Sequence, residues 1–187
     1  MSLLALRDVA LIRGGRLLFE NVDLLLDYGA AAVLTGPNGV GKSSLIRVAA
    51  GLLRATAGKV EHGGRVALAD ENGALDPRQT VGRALTFWAR IDGHDPAVGM
   101  EKMGLTRLAD VPVRMLSTGQ RKRATLARVI ASGAPLWLLD EPMNGLDGEG
   151  QDRLAAAIAD HRAGGGGLLA ASHQPLDLAD AAQVALG

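Results

Sequence analysis

The apolar positions of this chain change their period along its length, and the changes mark its elements. Residues 3–12 and 17–27 read as two strands around the turn Arg13-Gly14-Gly15-Arg16. In the second strand Val22, Leu24 and Leu26 alternate with polar Asn21 and Asp23, the period-2 pattern of a half-solvated antiparallel strand. After residue 30 the strands become continuous apolar runs separated by helical periodicity. Ala30 to Thr35 is one such run, and a helix-like stretch from Lys42 to Leu52 places Leu45, Val48, Ala49 and Leu52 on one face. Short strands are predicted at Lys59–Glu61 and Arg65–Ala69, split by Gly63-Gly64. From Thr80 to Met115 the character is helical, with Val81, Ala84, Leu85 and Trp88 on one face and Phe87 and Ile91 on a neighbouring one. Asp92-Gly93-His94-Asp95-Pro96 breaks that run, and a second helix is expected to end at Met103, with Gly104 as its stop. Leu136–Asp140 and Leu168–Ala171 read as buried strands around a helix from Gly148 to Ala163, and Val184–Leu186 as a last strand.

This order predicts an α/β fold: a mainly parallel sheet with helices on both faces, an antiparallel β part at the N-terminus, and a small inserted helical lobe. One domain is expected over 1–187, with its core at 1–79 and 132–187 and the lobe over about 80–131. Net charge is zero and the pI is near 6.9, so the basic excess of a nucleic-acid footprint is absent and nucleic acid is not an expected partner. The chain has no cysteine, which removes disulfides and thiolate metal sites. Met1 to Asp8 lacks the basic start of a signal peptide, and no apolar run approaches the ~18 residues of a membrane span. A soluble protein, free to dock on a membrane component, is the expectation.

The chemistry begins at residues 36–43. Gly36-Pro37-Asn38-Gly39-Val40-Gly41-Lys42-Ser43 is a complete G-x-x-x-x-G-K-S phosphate-binding loop, set between a predicted strand and a predicted helix. The glycines let backbone N–H groups turn onto phosphates, and the helix N-terminus adds its positive end. Lys42 is placed to reach the β- and γ-phosphates, and Ser43 to sit on Mg²⁺. A second motif is the apolar strand ending in Asp140-Glu141. Asp140 at the carboxyl edge of the sheet can hold Mg²⁺ through water beside Ser43. Glu141 is placed to take a proton from water attacking the γ-phosphate. Third, Ser117 followed by Gln120 is a capping box for a helix over 118–131, and Gly119 leaves that helix end bare and rich in donors. His62, His94 and His161 are read as loop or helix-surface side chains without metal-ligand spacing.

Leu116-Ser117-Thr118-Gly119-Gln120, followed by basic Arg121, Lys122 and Arg123, resembles the signature of ATP-binding cassette (ABC) ATPases. That resemblance implies a P-loop ABC cassette using ATP and Mg²⁺. It implies a head-to-tail dimer with a second copy, in which Ser117, Gly119 and Gln120 face the nucleotide held by the partner. Asn144-Gly145-Leu146-Asp147 matches the D-loop, with Asp147 at the interface, and His173 after Leu168–Ala171 matches the switch histidine. The nucleotide site would span Gly36 to Ser44. The resemblance also sets out two departures. The aromatic residue that stacks on adenine is missing, and Arg13 or Ile12 occupies its region, which implies weak base selectivity. The glutamine that links Mg²⁺ to the lobe is replaced within Asp70-Glu71-Asn72-Gly73, where Asn72 aligns best and Glu71 is its rival.

Further strings narrow the likeness: Leu116 to Arg123, Pro135 to Pro142, His161-Arg162-Ala163-Gly164-Gly165 and His173-Gln174-Pro175-Leu176. They resemble the ATP-binding subunit of bacterial cytochrome c maturation (haem exporter) complexes. The implied setting is the cytoplasmic face of the inner membrane, with separate membrane-spanning permease subunits as partners. No Cys-x-x-Cys-His and no haem ligand is evident in this chain. Another small ABC exporter, or a non-transport ABC ATPase acting on ribosomes or DNA, is the alternative. A lobe that transmits motion to membrane helices should expose apolar side chains; Phe87 and Ile91 are the candidates, packing within the lobe being the other possibility.

Overall fold

The computed structural model describes residues 2–178 and 180–187. β1 (Ser2–Arg13) and β2 (Arg16–Asp27) form an antiparallel hairpin in which Arg13 lies opposite Arg16. Its two-residue turn, Gly14-Gly15, has both φ angles positive, +59° and +76°, as a tight hairpin turn requires. The other edge of β1 pairs antiparallel with β4 (Ala57–His62), giving a three-stranded sheet ordered β2-β1-β4.

The second sheet is parallel throughout. It contains β5 (Val66–Ala69), β6 (Leu136–Asp140), β7 (Gly167–Ala171), β3 (Ala31–Thr35) and β8 (Ala182–Ala185), side by side in that order. Its side chains alternate between two cores. Trp137, Leu139, Leu168 and Ala170 point into one, packed by α2 (Val81–Asp92), α3 (Pro96–Lys102), α4 (Thr118–Ala131) and α5 (Gly148–Ala163). Leu136, Leu138, Leu169 and Ala171 point into the other, which is closed by α1 (Lys42–Ala49) and the antiparallel sheet. The parallel layer therefore carries four helices on one face, and one helix with a second sheet on the other. The expected helices on both faces are present, but β1, β2 and β4 take most of one face.

Three local expectations shift. The first helix stops at Ala49: Gly51 adopts φ +73°, and the N–H of Leu52 bonds back to the Arg47 carbonyl at 2.9 Å. Leu52 is consequently exposed, and Ile46 takes a buried place on the helix instead. Trp88 is half-buried, its indole N–H donating to the Ala74 carbonyl at 2.6 Å, while Ala89 fills the core position. The last strand lies at Ala182–Ala185, earlier than its apolar content suggests, because its register is set by pairing with β3.

Candidate functional site

β3 delivers the chain to the phosphate loop, and α1 carries it away. Gly36, Gly39 and Gly41 have φ of +133°, +78° and +117°, which only glycine adopts without strain. Gly41 also lies so close to β2 that a Cβ there would stand 2.9 Å from Phe19 Cδ1 and 3.2 Å from Leu18 Cβ. As the N-cap of α1 it has no side chain to satisfy the first N–H groups of the helix, so these remain free for an anion. The Lys42 ammonium is buried and folds over its own loop, donating to the carbonyls of Gly36 at 2.8 Å and Pro37 at 3.0 Å.

The carboxyl ends of β6 and β7 form the facing wall. Ser43 Oγ donates to Asp140 Oδ1 at 3.0 Å. Burial raises the pKa of Asp140 above the ordinary carboxylate value, opposed by the Ser43 hydrogen bond and by Lys122, and reinforced by Glu141. Glu141 leaves the strand with φ +45°, a conformation that costs a non-glycine residue about 1–3 kcal/mol and re-aims its side chain. Its N–H is held by the Ala171 carbonyl at 2.8 Å, which fixes the turn against β7. Both carboxylate oxygens of Glu141 meet His173: Oε1 lies 3.3 Å from the ring Nε2, and Oε2 accepts the His173 N–H at 3.3 Å.

Asn38, Gly39, Gly41, Lys42, Ser43 and Ser44 line one cleft of about 650 Å³, with Glu141 and His173. A second cleft of about 440 Å³ shares Ser43 and Glu141 and adds Asp140 and Asn72. Here the Asn72 amide nitrogen donates to Asp70 at 3.1 Å, whereas Glu71 turns to Arg47 at 3.1 Å. Gly36, Pro37 and Val40 shape the loop without lining either cleft.

Ser117 and Gln120 do form a reciprocal capping box: the Gln120 N–H donates to Ser117 Oγ at 3.2 Å and the Ser117 N–H to Gln120 Oε1 at 3.0 Å. Gly119 is required by packing as well, because a Cβ there would come within 2.7 Å of the Gly145 carbonyl oxygen. Ser117 and Gly119 line neither cleft of their own chain. Asp147 caps α5, its Oδ1 accepting the Gly150 N–H at 2.9 Å.

Lys122, expected only as part of the basic stretch after the signature, belongs to the site. Its ammonium donates to the Asp140 carbonyl at 3.2 Å, and burial lowers its pKa while Asp140, Glu141 and Asp70 oppose that shift. A signal was present: Thr118, Arg121, Lys122 and Thr125 recur at helical spacing, and together they line the second cleft. Asn144, named only as part of the D-loop match, lines both clefts. His161 departs from its surface reading: it is half-buried, stacked on Trp137 with centroids 3.8 Å apart, and burial lowers its pKa. His62 bonds to the Ala49 carbonyl at 2.6 Å, and His94 lies 3.0 Å from an Arg65 nitrogen.

Among the described residues no group of three or more His, Asp or Glu side chains could hold a metal by itself. The Ser43 hydroxyl and the Asp140 carboxylate do suit Mg²⁺, a hard ion that takes oxygen ligands and completes its shell with water and phosphate. No helix is long and apolar enough to cross a membrane among the described residues.

Residues 19–144 match the family model described as ABC transporter. A cytochrome c biogenesis ATP-binding export protein, CcmA, of Sphingopyxis alaskensis is 58% identical over 188 residues, spanning 99% of this chain and 97% of that protein. The protein of the same description from Novosphingobium aromaticivorans is 56% identical, spanning 91% of this chain and 88% of its own. Among solved structures, an ATP-binding subunit of an ABC transporter superposes with a TM-score of 0.89 at 23% identity, covering 99% of this chain and 86% of the other, a likeness of fold.

Proposed function

The chain belongs to the ABC transporter family as an ATP-binding subunit with ATPase activity, and from that premise we propose that it powers the haem-export or haem-delivery step of cytochrome c maturation. The observation that carries the branch is the full-length likeness to cytochrome c biogenesis ATP-binding export proteins.

The site supports ATP hydrolysis in the following way. The loop N–H groups from Gly36 to Ser44 receive the phosphates, and Lys42 exchanges the carbonyls of Gly36 and Pro37 for the β- and γ-phosphate oxygens. Ser43 and Asp140 would hold Mg²⁺, with Asn72 at the rim of the same cleft. The ion, when bound, neutralises phosphate charge. Glu141 is the general base for the attacking water, and His173, already paired with its carboxylate, orients it beside the γ-phosphate. Ser117, Gly119 and Gln120, at the bare N-terminus of α4, complete the nucleotide site of a second copy in a head-to-tail dimer, with Asp147 near that interface. That Ser117 and Gly119 line no cleft of their own chain supports a role in trans.

The segment 80–131 acts as a lobe that carries the closing motion to integral membrane permease subunits, with the chain held peripherally at the cytoplasmic face of the inner membrane. Phe87 and Ile91 support this, being 54% and 63% exposed rather than packed within the lobe. No nucleic-acid partner and no haem ligand on this chain is part of the reading. A strain lacking the gene should lose all holo-cytochromes c while keeping b-type haem proteins. The intact gene should restore them, and the Glu141→Gln form should not. Normal c-type cytochromes in the deletion strain would end the proposal.

A further inference from the structure

Nothing in the proposed hydrolysis uses Lys122, yet its side chain stands in the cleft that holds Ser43, Asp140 and Glu141. The residue lies about one turn into α4, after the Ser117 cap, on the face it shares with Thr118, Arg121 and Thr125. It is half-buried, and its ammonium crosses from the helix to the end of β6, donating to the Asp140 carbonyl at 3.2 Å. An ammonium has three donors, and that carbonyl takes one.

The carboxylates around it are unequally served. Asp70 lies 3.7 Å from the Arg47 guanidinium, and Glu141 lies 3.3 Å from the His173 ring. Asp140 is buried, and among the described residues its side chain is bonded to the neutral Ser43 hydroxyl and closes no ion pair. A buried carboxylate without a cation is costly. Of the cations acting on Asp140 from a distance, Lys122 acts more strongly and Arg47 less. Asp140, Glu141 and Asp70 in turn favour the charged form of Lys122 against the cost of its burial. The cleft therefore contains a fixed positive charge beside the oxygens suited to Mg²⁺.

We propose that Lys122 is the resident counter-charge of the metal site, offsetting Asp140 and Glu141 in the metal-free chain, so that Mg²⁺ enters in competition with it. The inference deepens the ATPase reading and rests on it. Lys122 is a positioning residue, acting on the ion through the charge of Asp140 rather than by touching it. A fixed cation in this place has two effects. It attracts the metal-free nucleotide, which is an anion, and it repels the divalent ion. Both lessen the factor by which Mg²⁺ strengthens nucleotide binding.

Calorimetric titration of the full chain with the non-hydrolysable analogue AMP-PNP, in EDTA and in excess Mg²⁺, measures that factor without turnover. Lys122→Arg keeps the charge and the hydrogen bond, Lys122→Gln keeps a donor without the charge, and Lys122→Met removes both. Lys122→Gln and Lys122→Met should each raise the Mg²⁺ enhancement about three- to tenfold, and Lys122→Arg should leave it within about twofold of wild type. A side chain that only braced β6 would give another order. Lys122→Gln would then match Lys122→Arg, and Lys122→Met would weaken binding in both conditions with the enhancement unchanged. Should Lys122→Met fail to fold, Lys122→Gln alone decides. The proposal is overturned if Lys122→Gln leaves the enhancement at its wild-type value or lowers it, or if Lys122→Arg moves it as far as Lys122→Gln. Wild-type protein that bound the analogue equally with and without Mg²⁺ would instead remove Ser43 and Asp140 as the metal site. Protein that bound it in neither condition would remove the nucleotide-binding reading itself.

Discussion

Burial holds the pKa of Asp140 above the ordinary carboxylate value, and this has a consequence for the stability of the ligand-free chain. A carboxyl group whose folded pKa is raised stabilises the fold below its unfolded pKa, and that contribution is lost as pH rises through the folded value. Above that value the buried charge works against folding, and the Ser43 hydroxyl and the Lys122 and Arg47 charges offset it in part. Asp140→Asn keeps a side-chain oxygen for Ser43 and removes the buried charge. We expect it to raise the melting temperature at neutral pH, with the advantage shrinking as pH falls towards the ordinary carboxylate range. The same variant should lose Mg²⁺-dependent ATP hydrolysis, an exchange of stability against function. Thermal melts of both proteins across pH, read beside turnover, check both halves. A variant less stable than wild type at pH 7 would contradict the argument.

At the scale of elements, the functional edge depends on how closely the helices approach one another. α3 crosses α4 at Gly99, where a Cβ would fall 2.0 Å from the Ala127 carbonyl oxygen and 3.1 Å from the Ala131 Cβ. The obstacle is backbone, which cannot step aside as the end of a long side chain can. Gly99→Ala should push the two helices apart and destabilise the protein by about 1–3 kcal/mol or more, although alanine has the better helix propensity. Urea denaturation measures the loss; a neutral result would mean that the crossing is soft. Ser117 was legible as a cap because the Ser-x-x-Gln pattern is local and the helix begins at the next residue. Gly99 was not, because nothing in the seven residues of α3 announces which neighbour will cross it.

At the scale of the molecule, the proposed mechanism needs two copies, since Ser117 and Gly119 line neither cleft of their own chain. Removing the general base while keeping the nucleotide should trap the closed pair. Glu141→Gln is expected to slow hydrolysis by about 10²–10⁴-fold and retain ATP affinity. In Mg-ATP it should run as a dimer in light scattering, and in ADP as a monomer. Lys42→Ala should bind ATP poorly and show neither behaviour. A Glu141→Gln protein that hydrolyses ATP like wild type would remove the general-base assignment. One that stays monomeric in saturating Mg-ATP, even with its membrane partners present, would remove the dimer.

The sequence by itself determined the features whose physics is local. The phosphate loop is set by its glycines, the capping box by a three-residue spacing, and the buried strands by apolar runs ending in Asp140 or just before Ser172-His173. Each is a property of a few adjacent residues, so it survives without knowledge of what lies opposite. Tertiary structure alone decided the pairings across long separations. It sent β4 to the antiparallel sheet, set Lys122 beneath Asp140, and laid His161 on Trp137. It also left Arg13 facing the cleft while Ile12 turned aside. Which of two neighbouring residues looks into a site depends on strand register and on the element packed behind it, and neither is written in the residues themselves.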